Sequence, residues 1–115
     1  MFNQLKWKDL LDSTIANINE LSRLKGGEYA GDADRLANFR RNGLSADVPI
    51  ELIWRIYASK HWDAIMQYEL DTRRGIYRET AEPILGRVDD LIVYLILFKA
   101  IYFERQETFG MDRNR

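Results

Sequence analysis

The chain has 115 residues, 46% hydrophobic and 30% charged, with 17 basic against 18 acidic side chains and a formal net charge of -1. Such a composition suits one soluble helical or mixed domain, and it lacks both the basic excess of a nucleic-acid binder and the acidic excess of a solvating tail. With no cysteine and a single histidine, His61, disulfides, thiolate chemistry and a two-histidine metal site within one chain are excluded.

The opening stretch, MFNQLKWKDLLDS, has no long apolar run and no small-residue cleavage pattern. No signal peptide is read there, and the cytoplasm is the expected location. Leu5, Leu10, Leu11, Ile15, Ile18, Leu21 and Leu24 recur mostly three or four apart. That spacing predicts an amphipathic helix over residues 3 to 25, stopped by Gly26 and Gly27. Residues 28 to 43 open as a polar loop. Asp32 is placed to cap a short helix carrying Leu36 and Phe39, with Gly43 ending it. Asp47 or Ser45 can cap the next helix, and Pro49 suits its first turn. Residues 50 to 70 form a long helix with a broad apolar face of Leu52, Ile53, Ile56, Tyr57, Ala64, Ile65 and Tyr68.

Residues 71 to 82, DTRRGIYRETAE, show no period and read as a loop. Pro83 then starts the last helix, PILGRVDDLIVYLILFKAIYFE, with a frayed tail from about residue 106. From Leu91 to Phe103 this helix is apolar on nearly every side, with Lys99 its one charge. Such a helix must be covered by other helices or by a partner, and it is short of the ~20 apolar residues needed to cross a membrane. The fold expected is all-α: a single domain, 1–115, forming an antiparallel bundle of three long helices and one short one. The excess of apolar surface on the last helix favours a homodimer in which last helices, or last and third helices, meet.

The candidate chemistry begins with acids at the front of that apolar helix. Asp89 and Asp90 project about 100° apart, so one of them turns inward, and Asp90 is favoured. A carboxylate in an apolar site must be paired, hydrogen-bonded, metal-bound or protonated. One reading makes Asp90 a Mg²⁺ ligand, joined across the core by Asp63 and from the loop by Glu28, with Lys60 and Arg87 on phosphate oxygens. The other makes Arg87–Asp90 and Lys60–Asp63 ordinary ion pairs. His61 either contacts phosphate, or acts as a base, or is a packed ring. Tyr29 either stacks on a nucleotide base or belongs to a solvated loop.

The pattern K-x-x-E-Y-x-G followed by NF (Lys25, Glu28, Tyr29, Gly31, Asn38, Phe39), then KHWDAI from Lys60, then EPILGRVDDLIVYLILFKAI from Glu82, resembles small helical proteins of tailed bacteriophages. More remotely it is similar to the nucleotide-modification-associated domain and to the MazG-like all-α nucleoside triphosphate pyrophosphatases. That resemblance implies acidic residues on core helices holding Mg²⁺, and cleavage of a triphosphate to monophosphate and pyrophosphate. It implies Glu28, Asp63 and Asp90 at the metal, Arg87, Asn38 and Tyr29 on the nucleotide, and Lys60 and His61 in catalysis. The chain departs from the E-x-x-E and E-x-x-D pairs of those enzymes. Gly86, Arg87 and Lys60 stand three residues before Asp89, Asp90 and Asp63.

Three functional expectations follow. One is a Mg²⁺-dependent nucleotide-binding protein, extending to a pyrophosphohydrolase. Another is a non-enzymatic phage protein of the host cytoplasm that captures a nucleotide signal or docks on a host defence protein. A helical dimer without a small ligand is the third.

Overall fold

The computed structural model describes residues 1–25, 34–80 and 82–109. They form four helices: α1 (Gln4–Lys25), α2 (Ala37–Ala46), α3 (Ile50–Arg73) and α4 (Ile84–Phe109). No strand occurs among them. The chain is all-α, with three long helices and one short one, as its periodicity requires.

Local chemistry sets the ends. Asn3 caps α1, its Oδ1 accepting the Lys6 N–H at 3.0 Å. Asp34 serves the start of α2, where its side chain accepts the Leu36 N–H at 3.0 Å and its carbonyl accepts the Ala37 N–H. The proposed cap Asp32 lies outside the described residues.

Gly43 does not end α2. It lies inside the helix, buried, because a side chain there has no room: a Cβ would stand 2.8 Å from the Val48 carbonyl oxygen. The helix ends instead at Asp47, which adopts left-handed geometry (φ 57°, ψ 49°), while the Val48 N–H returns to the Gly43 carbonyl. Asp47 thus closes α2 rather than opening α3, which starts behind extended Pro49 with no side-chain cap.

α3 runs three residues past Leu70. Asp71 is buried, not in a loop, and its carboxylate gathers Gln67 and both Nε and Nη2 of Arg78. Gly75, at φ +67°, supplies the left-handed residue that ends the helix. α4 likewise stays helical through Phe109, past the point where fraying was expected.

Three cross-links show that α3 and α4 run antiparallel. Glu51 pairs with Arg105, Trp54 stacks on Phe98 with ring centroids 4.9 Å apart, and His61 meets Asp90. α2 lies against α3. The core is small: Leu36, Phe39, Ile50, Ile53 and Ile101, flanked by Val48, Trp54, Tyr57, Tyr94 and Leu97. Arg40 ties the ends together by reaching Asp34 and Glu104, each at 2.7 Å.

α1 fits this frame loosely. Among the helices it packs on α4, and its half-buried residues are Thr14, Ile18, Leu21 and Ser22. Everything before Thr14 is exposed. α4 is not fully enclosed either, since Leu95, Ile96, Phe98 and Tyr102 are 44–52% exposed. No described helix is long and apolar enough to cross a membrane.

Candidate functional site

The site is built where α2, α3 and α4 meet. On α3, Trp54, Tyr57 and His61 lie three and four residues apart, so they share one side of the helix. On α4, Arg87, Asp90 and Tyr94 do the same. Antiparallel packing sets the two triplets against each other. Trp54 Nε1 donates to the Tyr94 carbonyl at 2.6 Å, and the His61 ring lies 5.4 Å from that of Tyr94. The Phe39 ring of α2 fills the remaining side, 6.2 Å from both Tyr57 and Tyr94.

The polar centre is His61. Its Nδ1 is 3.7 Å from Asp90 Oδ2 and 3.3 Å from Arg87 Nη1. A neutral imidazole with an unprotonated Nδ1 accepts from Arg87; a protonated one pairs with Asp90. The same atom therefore stands between a fixed cation and a buried acid. Asp90 is 6% exposed, so of the two neighbouring aspartates it is the one turned inward. Arg87 also reaches Glu82 through Nε at 3.1 Å. A guanidinium has five N–H donors. These two contacts leave it capacity for an anion.

The other sequence candidates fall in different places. Asn38 is on α2, its carbonyl oxygen accepting from Arg41 at 2.8 Å and from Asn42 at 3.5 Å. Asn42 in turn donates to the Tyr57 hydroxyl at 2.9 Å. Lys60 is exposed, with its Nζ 5.5 Å from the centre of the Tyr57 ring. Asn38 and Lys60 are thus grouped around Tyr57, next to the His61 cluster but separate from its contacts. Glu28 and Tyr29 lie outside the described residues.

Asp63 is the misplaced one. It follows His61 by two positions, about 200° round the helix, and it is exposed. With His61 directed at Asp90, Asp63 is carried away from it. The two carboxylates therefore do not form the shared pocket expected for one Mg²⁺ ion. Among the described residues no group of three or more histidine and carboxylate side chains is placed to hold a metal.

A cleft adjoins the cluster. It has a volume of about 400 Å³ and lies between the end of α3, residues 75–80 and the start of α4. Tyr68, Tyr77, Arg78, Glu82 and Arg87 contribute to its walls, with the Gln67–Asp71 pair at its side. That size lies in the range of small-molecule sites, roughly 300–1,000 Å³. Arg78 donates to Asp71 at 2.9 Å and holds its carboxyl below the usual range, helped by Gln67. Tyr77 and Tyr68 are 91% and 53% exposed, leaving ring surface open.

Reading residues 71 to 82 as a loop hid this cleft. The available signal was Gln67–Asp71 at four-residue spacing, which extends the inner side of α3 by one turn.

No protein-family model, no curated protein and no solved structure matches this chain.

Proposed function

We propose that this protein binds a nucleotide or a nucleotide-like anion at the cleft between α3 and α4. One observation carries the reading: Arg87 belongs both to the buried His61–Asp90 cluster and to the wall of the cleft. A phosphate at the inner end meets a guanidinium held in place by His61 and Glu82. A planar ring at the open end meets the faces of Tyr68 and Tyr77. The remote MazG-like resemblance of the chain points to the same ligand class.

Capture without turnover is the form of this reading that we favour, because Asp63 stands away from Asp90. Pyrophosphohydrolysis with Mg²⁺ is the narrower form. A thermal-shift screen of nucleoside mono- and triphosphates, with and without Mg²⁺, tests both. A ligand that binds only the folded chain at 100 times its Kd adds about 2.7 kcal/mol of stability. A rise in Tm that disappears in Arg87→Ala supports the cleft. Release of pyrophosphate, abolished by Asp90→Asn, would extend the proposal to hydrolysis. No shift with any nucleotide would overturn it.

A second reading, docking on a host protein, is favoured by the open apolar side chains of α4. Loss of host-protein binding in Leu95→Asp, with helicity retained by circular dichroism, would support it.

A further inference from the structure

Among the described residues the first half of α1 has no covering element, yet its side chains are those of a packed helix. Thr14, Ile18 and Leu21 are half-buried as α1 packs on α4. At 100° per residue, Trp7, Leu11 and Ile15 fall within about 60° of Ile18. The stripe that packs on α4 therefore continues, apolar, into solvent. Trp7, Leu10, Leu11 and Ile15 are 46–55% exposed, and Phe2 and Leu5 are more open still. Leu5 lies about 140° from Ile18, off the stripe, and Phe2 precedes the helix. Trp7, Leu10, Leu11 and Ile15 offer on the order of 400 Å² of apolar surface. Two copies brought together would bury roughly 800 Å², the size of a small, readily dissociating interface.

Charge says what covers it. Lys8 and Asp12 are four apart along one edge of the stripe and pair with each other at 2.6 Å, both well exposed. In an antiparallel pair of identical helices, each edge faces the same edge of its partner, and residue i opposite j implies j opposite i. A twofold axis near Leu10 sets Lys8 of one copy opposite Asp12 of the other, twice, with Leu10 near the axis. The edge is thus complementary to itself.

We infer that α1 is the dimerisation element of this protein, and that its occupant is α1 of a second copy, antiparallel, with Lys8 and Asp12 exchanged across the axis. The contact is independent of the nucleotide cleft, which lies at the α3–α4 turn.

Sedimentation equilibrium of the full chain, with circular dichroism as the check on folding, tests this. The wild type is expected to be a dimer. Leu11→Glu is expected to raise the dimer dissociation constant more than ~30-fold. Its helicity should hold, since Leu11 touches nothing inside the chain's own core. Lys8→Glu is expected to weaken the dimer several-fold, and Lys8→Glu with Asp12→Lys to restore it. A wild-type monomer at every concentration overturns the inference. So does a dimer indifferent to Leu11→Glu, which would place the interface elsewhere. Failure of the double charge exchange to restore the dimer overturns the antiparallel pairing.

Discussion

Arg87 shows how little of a site one side chain has to supply when its neighbours are fixed. Its Nε is held by Glu82 and its Nη1 faces His61, so the guanidinium is oriented before any ligand arrives, which lowers the entropy lost on binding. Lysine would keep the charge and lose the fork. We therefore expect Arg87→Lys to weaken nucleotide binding at least tenfold while the helical fold is retained, measured by calorimetric titration and circular dichroism. Trp54 makes a different residue-scale case. Its Nε1 donates to a carbonyl of the neighbouring helix, so Trp54→Phe keeps much of the ring packing on Phe98 and loses the hydrogen bond. A destabilisation of roughly 1 kcal/mol in denaturant unfolding is expected for the lost hydrogen bond, since the Tyr94 carbonyl lies inside α4 and keeps its intrahelical partner. These contacts could not be read from the sequence. Of the two aspartates the sequence favours Asp90 for the inward turn, although Asp89 shares its face with Leu85, Val93 and Ile96. That His61, rather than Asp63, would meet Asp90 depended on how α3 is rotated against α4.

At the scale of elements, glycine and acid positions decide the boundaries. Gly43 is within α2 because the chain turns back so tightly that Val48 occupies the place of a side chain. Alanine there gains up to ~1 kcal/mol in helix propensity but pushes against backbone oxygen. Gly43→Ala should lose about 1–2 kcal/mol net, read by urea unfolding. The ends of the helices are tied by acids with lowered pKa values. Arg105 lowers Glu51, Arg40 and then the Leu36 N–H lower Asp34, and Arg78 lowers Asp71. A carboxyl depressed by folding stabilises above its unfolded pKa, and that contribution is lost as pH falls through the folded value. The contribution of these three carboxyls should be flat from neutrality to about pH 5 and fall steeply below about pH 4. Tm measured across pH checks this, and Glu51→Gln should flatten part of the decline. The helices themselves were legible from period, Pro83 and the glycines. Their exact ends were not, since Asp47 and Asp71 end or extend a helix through backbone geometry and side-chain contacts that leave no periodic signature.

At the scale of the molecule, the uncovered apolar surface is the dominant feature. The radius of gyration is 16.9 Å, against about 13 Å for a compact chain of this length. Among the described residues the buried core cluster holds five large apolar residues, few for a domain that must offset its ordering entropy. Stability should therefore depend on protein concentration, with Tm rising as the dimer forms. Concentration-dependent melts of wild type against Leu11→Glu would display this as a slope in the first and none in the second.

The sequence by itself determined the all-α character, the number and approximate spans of the helices, and an apolar excess on the last of them. These are local properties, written in a 3.6-residue period and in residues with restricted or unusual backbone freedom. Only the tertiary structure decided which helix stays uncovered, that Asp63 faces solvent while Asp90 faces His61, and that Asp71 and Arg78 close a cleft. A helix fixes where its side chains point relative to its own axis. Its rotation and position against its neighbours are set by contacts such as Trp54 on Tyr94 and Phe39 between two tyrosines, which join residues far apart in the chain.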